Sequence, residues 1–209
     1  MIRTALSLVI LASLASMSVC CASASPVEHT LEEADYPWEL LPSDSLGKDL
    51  FWRQRISASF QDREESFQAV VQSSNGVLLV VGLSPMGTKS FILRQDGLDS
   101  TFEEFVDGEF PFPGRFILID LQRCFFPLSS TDTIHSGVNL FQLNGETVEE
   151  IWRDGQLVTR RFQRPGYGKH GAAIVVSYEG WSEDGSTAKK VTLENGWFEY
   201  RLTILSSSD

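Results

Sequence analysis

Apolar and polar residues alternate over most of this chain in short runs that stop at turn-forming pairs. Leu50, Trp52, Ile56, Ala58 and Phe60 share one parity, and Phe67, Ala69 and Val71 do the same beyond a polar turn at 61–65. Spacing of period two predicts half-buried strands. Val77–Leu83 is almost continuously apolar and suits a central strand covered on both faces. Phe91 and Leu93 alternate with polar neighbours, and Asp96-Gly97 leads into a further strand over 98–106. The C-terminal half repeats the theme at 138–143, 148–153, 156–162, 172–178, 190–193 and 198–205. The last is the clearest, with Phe198, Tyr200, Leu202 and Ile204 set against Glu199, Arg201 and Thr203.

The breaks carry their own signal. Asn or Asp directly precedes Gly seven times, at Asn75, Asp96, Asp107, Asn144, Asp154, Asp184 and Asn195. Such pairs tolerate positive φ and close tight turns whose twist matches two antiparallel strands. A mainly β protein follows, built as an antiparallel meander. One segment departs from it. Residues 113–126 place apolar side chains at 117, 118, 121, 124 and 125, a helical spacing that Pro127 ends. The expectation is a helix inserted between two halves of the sheet, with a second short helix near 130–136. No sequence repeat of fixed period is present.

The N-terminus reads differently. Met1-Ile2-Arg3 followed by the apolar stretch 5–19 has the layout of a secretory signal peptide. Two processing routes are open: cleavage after Ala24, which releases a soluble chain, or lipidation at Cys21, with Cys20 the alternative. Residues 22–48 lack a period and are rich in Ser, Pro and acids, so they read as a flexible tether on which Trp38, Leu40 and Leu41 could dock. About 25 such residues reach about 28 Å. The folded domain is then expected over 49–209.

Charge narrows the partners. The net charge is −11, and removing the first 24 residues takes away one Arg and no acid. Nucleic acid is excluded as a partner, because phosphate binding needs clustered Lys and Arg. With Cys20 and Cys21 near the processing site, only Cys124 is left in the fold. It reads as a small buried hydrophobe rather than a disulfide half.

Candidate chemistry is sparse. Gly166-Tyr167-Gly168-Lys169-His170-Gly171 fits a dinucleotide-loop pattern, but such a loop must open a helix, and the β-branched run after it is a strand. His29, His135 and His170 are isolated, so no metal is expected. Ser84 lies before Pro85 in a turn, no nucleophile elbow exists, and Glu103 and Glu104 read as a solvated face. No enzyme activity and no cofactor are expected. The turn Leu83-Ser84-Pro85-Met86-Gly87-Thr88 stands out because it presents Met86 between two apolar strands. A flexible thioether there suits contact with a lipid or membrane surface.

The order of these elements resembles one family. Trp52 to Phe60, Val77–Leu83 leading into Ser84-Pro85-Met86-Gly87-Thr88, then Phe91-Ile92-Leu93-Arg94-Gln95-Asp96-Gly97, then Asp120-Leu121-Gln122-Arg123-Cys124-Phe125-Phe126-Pro127 are similar to the bacterial lipoprotein family called domain of unknown function 3261. That family is similar in turn to the LolA and LolB carriers of lipoproteins. The resemblance implies a strongly curved antiparallel sheet, a half-open barrel, with one or two helices over an apolar cavity for acyl chains. It also implies an outer-membrane lipoprotein facing the periplasm, with a soluble periplasmic form as the alternative, and a link to aryl-polyene biosynthesis. The Ser84–Thr88 turn lines up with the protruding apolar tip of the outer-membrane carrier. The lipobox of the family is poorly matched here.

The resulting expectation is a monomeric carrier or acceptor of a lipid or acylated protein that meets a membrane surface. Its cavity is expected on the inward faces of the strands, lined by Phe67, Leu79, Val81, Phe91, Phe102, Ile117, Leu121 and Tyr200. The helix is expected to cover the cavity when empty and to yield when a chain enters. The rival from another class is a structural or interaction lipoprotein whose sheet is simply filled.

Overall fold

Eleven strands and one α-helix follow one another along the residues described by a computed structural model of the chain: 36–60, 62–105, 113–129, 135–168, 171–183, 185 and 187–207. The strands are β1 (Leu50–Phe60), β2 (Arg63–Ser74), β3 (Val77–Leu83), β4 (Lys89–Asp96), β5 (Asp99–Glu104), β6 (Gly137–Leu143), β7 (Glu146–Arg153), β8 (Gln156–Gln163), β9 (Ile174–Trp181), β10 (Ala188–Asn195) and β11 (Tyr200–Ser207). The helix α1 (Gly114–Phe125) lies between β5 and β6, and a short 3-10 helix at Ser43–Leu46 precedes β1.

Turn chemistry accounts for the tightest hairpins. Asn75-Gly76, Asn144-Gly145 and Asp154-Gly155 hold both residues at positive φ, the two-residue geometry that carries strand twist through the corner. They join β2 to β3, β6 to β7 and β7 to β8. All pairings are antiparallel, and the order is β5-β4-β3-β2-β1-β11-β10-β9-β8-β7-β6. Each half is a meander, and the pairing of β1 with β11 welds the two together at the centre. The edge strands β5 and β6 do not pair, so the sheet stays open.

That sheet is strongly curved, and the helix shows why. Adjacent residues of α1 reach opposite flanks: Gln122 bonds Gln95 of β4, while Arg123 bonds Glu146 of β7. Those strands stand eight places apart in the order, which would be about 38 Å in a flat sheet. A helix only about 10–12 Å thick touches both, so the sheet wraps around it. The core accordingly forms two clusters, one around Leu78, Val80, Phe91 and Leu93, the other around Phe162, Ile174, Val176 and Leu193, with α1 contributing to each.

Two expectations change. The segment 36–48 is not a free tether: Tyr36, Trp38 and Leu46 are buried, and the 3-10 helix is tied to two hairpins by Ser43. The ordered body therefore begins by residue 36 rather than 49, because these aromatic side chains supply packing that the sheet and helix lack. The expected strand at 98–106 is β5, from Asp99 to Glu104, and Val106 lies outside the described residues. The second short helix falls mostly on 130–134, also outside them, and His135 and Ser136 form a bend. The signal segment, Cys20 and Cys21 lie outside the described residues as well.

Close packing rests on glycine at Gly82, where an added Cβ would fall 2.1 Å from the Phe91 ring. Gly82→Ala is expected to destabilise the protein by about 1–3 kcal/mol, the usual cost of overpacking. Urea unfolding monitored by tryptophan fluorescence checks this, and an unchanged midpoint would show that the ring can shift.

Candidate functional site

The helix carries three polar residues in a row of four, Asp120, Gln122 and Arg123, and all are buried. Buried polar groups need partners, and each has found them on surrounding elements. The Tyr36 hydroxyl donates to Asp120 Oδ1, and the Tyr200 hydroxyl donates to Oδ2 at 2.5 Å. Gln122 Oε1 accepts from the Leu41 N–H at 2.9 Å and from the Trp38 indole at 3.2 Å, while its Nε2 donates to the Leu41 carbonyl at 2.8 Å. Arg123 donates to Glu146 at 2.7 Å and to the Tyr36 hydroxyl at 3.1 Å. Its guanidinium carbon also lies 4.6–5.1 Å from the ring centres of Tyr36, Trp38, Phe162 and Trp197, which favours the cation.

The C-terminal end of the helix is held in the same manner. Arg160 donates to the Arg123 carbonyl at 2.7 Å and pairs with Glu150, and the Tyr178 hydroxyl donates to the Cys124 carbonyl at 2.9 Å. The helix is thus bolted to β7, β8, β9 and the 36–41 segment. Lifting the helix as a whole would strand these buried charges without partners. Burial pushes the Cys124 thiol well above its ordinary range, which fits a packed side chain rather than a reactive one.

On the other flank of α1 the helix and sheet do not close. A cavity of about 360 Å³ lies between α1 and the inner faces of β1, β2, β3, β4 and β11. Most of its lining surface is apolar, with Ile56, Ala58, Phe60, Ala69, Val71, Val80, Phe116, Leu202 and Ile204, while Ser59, Glu65, Ser66 and Ser90 add polar groups. Asp120 reaches it from the helix, and Gln54 reaches it from β1. Its volume falls in the range of small-molecule sites. Ser84 and Pro85 form part of its wall, so the turn bearing Met86 stands at its rim, and Met86 itself is 90 % exposed.

Of the eight residues expected to line a cavity, Phe67, Phe91, Ile117, Leu121 and Tyr200 are brought together around this one. Leu79 and Val81 are not. Leu78, Val80 and Gly82 hold the inward parity of β3, so Leu79 and Val81 face the outer side. An unbroken apolar run gives no parity, and pairing with β2 decided it. Phe102 stands one strand away, its ring tilted 33° to that of Phe91 with ring centres 5.5 Å apart, and it seats the start of α1 at Gly114. Sequence reasoning missed the bolt residues Tyr36, Asn195, Glu146, Glu150 and Arg160. The conspicuous signal was polar residues at inward parity in Glu146, Glu150 and Asn195.

The glycine motif leads through Gly171 into β9, a strand and not a helix. Among the described residues, no group of three His, Cys, Asp or Glu could hold a metal ion, and no helix is long and apolar enough to cross a membrane.

The bolt predicts a pH dependence. Burial pushes the Asp120 carboxyl up to about 6, against the lowering effects of Tyr200, Tyr36 and Arg123, and it pushes Glu146 up to about 7 against Arg123 and Arg164. A carboxyl whose folded pKa lies above its unfolded value binds its proton more tightly when folded, so stability falls as pH rises from about 4 to about 7 and then levels. The Asp120 share is about 3 kcal/mol. Urea midpoints between pH 5 and pH 8 are expected to decline in the wild type and to decline less in Asp120→Asn. Equal slopes would remove Asp120 as the source.

No curated protein matches the chain in sequence. Among solved structures, the chain is similar to a LolA superfamily protein from Nitrosomonas europaea, at 11% identity and a TM-score of 0.43 over 84% of this chain and 89% of that one. It is also similar to a putative outer membrane lipoprotein-sorting protein domain from Vibrio parahaemolyticus, at 9% identity and a TM-score of 0.41 over 77% and 83%. Sequence comparison is more decisive, because a single family matches residues 51–208, nearly the whole of the curved sheet with its helix and cavity. The chain belongs to the family described as Protein of unknown function (DUF3261).

Proposed function

We propose that this protein is a carrier or acceptor of an acylated lipid or lipoprotein in the cell envelope. The observation that carries the reading is the open apolar cavity whose rim bears the exposed Met86 turn. Burial of a chain in this cavity provides ample binding energy. Each CH₂ removed from water contributes about 0.8 kcal/mol, so a palmitoyl chain has up to about 12 kcal/mol before ordering costs. Affinity of that size makes release the harder step, and a protruding apolar side chain beside the mouth places the cavity against an acceptor surface.

In this reading Cys21, or Cys20 in its place, carries a lipid anchor that holds the protein at the outer membrane, and intact-mass analysis of the mature chain decides it. The cargo is a lipoprotein acyl chain or an aryl-polyene lipid. Its identity comes from native mass spectrometry of protein purified from its host, followed by solvent extraction.

Two substitutions separate binding from delivery. Ala58→Trp puts bulk into the cavity from a half-buried position; the variant is expected to fold and to lose bound lipid. Met86→Glu is expected to shift stability by less than about 0.5 kcal/mol, as exposed turn residues do, and to bind lipid normally. Its transfer to liposomes should drop sharply, while Met86→Leu transfers like wild type. Full lipid occupancy in Ala58→Trp would sink the cavity reading, and wild-type transfer by Met86→Glu would leave the turn a mere connection.

A further inference from the structure

A second cavity, also about 360 Å³, lies on the other side of the helix terminus. The first opens at the end of the sheet where the β3–β4 turn sits, beside Ser84 and Pro85. The second opens at the opposite end, beside Gly155 of the β7–β8 turn and Gly185 of the β9–β10 turn. Its walls carry the aromatic faces of Trp52, Trp152, Trp181 and Tyr178, with Lys48, Gln156, Arg160 and Thr187 also on the lining.

The floor beneath the two chambers is continuous. Trp52 lines the second chamber, and the next inward residues of β1, Gln54, Ile56 and Ala58, line the first. Across the sheet, Ile204 of the first chamber is the register partner of Val191 of the second. Only Phe125 borders both spaces, and its ring centre lies 5.0 Å from that of Trp52. Phe125 is the last residue of α1 and is half-buried, between the buried Cys124 and Phe126. The backbone on its N-terminal side is pinned through the Arg123 and Cys124 carbonyls. Its ring, however, has empty volume on two sides, so a change of side-chain rotamer is enough to move it, without displacing the helix.

We propose that Phe125 is a swinging partition, and that the aromatic chamber receives the far end of a long linear hydrocarbon chain whose nearer part fills the first chamber. The inference rests on the reading of the first cavity as a chain-binding site. Trp52 to Phe60 spans about 27 Å of strand, so the joined passage accommodates a chain that the first chamber alone would leave protruding. The walls fit this occupant, because flat aromatic faces cover a narrow apolar chain without requiring polar partners from it.

The test is a chain-length series (octanoate, laurate, palmitate and stearate) titrated into the lipid-stripped protein by calorimetry. In the wild type, affinity is expected to rise about fourfold per added methylene through stearate. Phe125→Trp, which adds bulk to the partition, is expected to gain nothing between laurate and stearate, whereas Phe125→Ala keeps the full rise. A second measurement needs no variant. No tryptophan lines the first chamber, whereas three line the second, so stearate brominated at its terminal carbons is expected to quench tryptophan emission and laurate brominated likewise is not. A wild-type plateau beyond laurate, stearate binding unchanged in Phe125→Trp, or equal quenching by both probes would overturn the partition and leave the first chamber intact as a site. Failure of every acid to bind would overturn the underlying reading, and the partition with it.

Discussion

The buried guanidinium of Arg123 determines where everything else in this molecule can lie. It sits on the only α-helix among the described residues, within an aromatic box of Tyr36, Trp38, Phe162 and Trp197, and it ends on Glu146. Removing one partner from such a buried pair typically costs about 3–5 kcal/mol, because the other charge is left uncompensated. The cluster it belongs to holds two guanidinium groups, Arg123 and Arg160, and three carboxyl groups, Asp120, Glu146 and Glu150. Burial is what raises the Asp120 and Glu146 carboxyl groups toward neutrality, against the lowering effect of Arg123. A helix held this way cannot slide along the sheet.

That anchoring divides the inner face into unlike halves. Toward β7, β8 and β9 the helix is locked by ion pairs, hydroxyls and aromatic rings. Toward β1–β4 it presents Phe116, Ile117 and Leu121 across open space. An empty apolar volume forfeits dispersion contacts, and the polar bolt on the opposite flank offsets that loss by fixing the helix at a distance. Rigidity on one side is what keeps the other side open. The carrier reading and the partition at Phe125 both depend on this asymmetry, since a helix free to settle would collapse onto β1 and β2.

The topology serves the same end. With β1 and β11 paired at the centre, each half grows outward by short hairpins, and the single long connection runs from one edge of the sheet to the other through α1. A connection that crosses the mouth of a curved sheet passes over its inner face, which places a helix there without any separate docking domain. The 36–48 segment then closes the gap between helix and strands: Gln95 and Gln122 both donate to the Leu41 carbonyl, at 2.7 and 2.8 Å.

Local chemistry was enough to determine the strands, the turns and the helix. Period-two alternation, Asn-Gly and Asp-Gly pairs and the Pro113 to Pro127 interval act over a few residues, so they are legible without the fold. The exposed Met86 turn was legible for the same reason, and so was the inward parity of β1 and β11. Tertiary structure alone decided the rest. Which face of the uniformly apolar Val77–Leu83 run turned inward depended on its register with β2, and that choice excluded Leu79 and Val81 from the cavity. Whether Tyr36 and Trp38 hung free or packed depended on a buried arginine 87 and 85 positions away along the chain. Cavity or filled core could not be read from composition either, because the same Phe, Leu and Ile residues serve both.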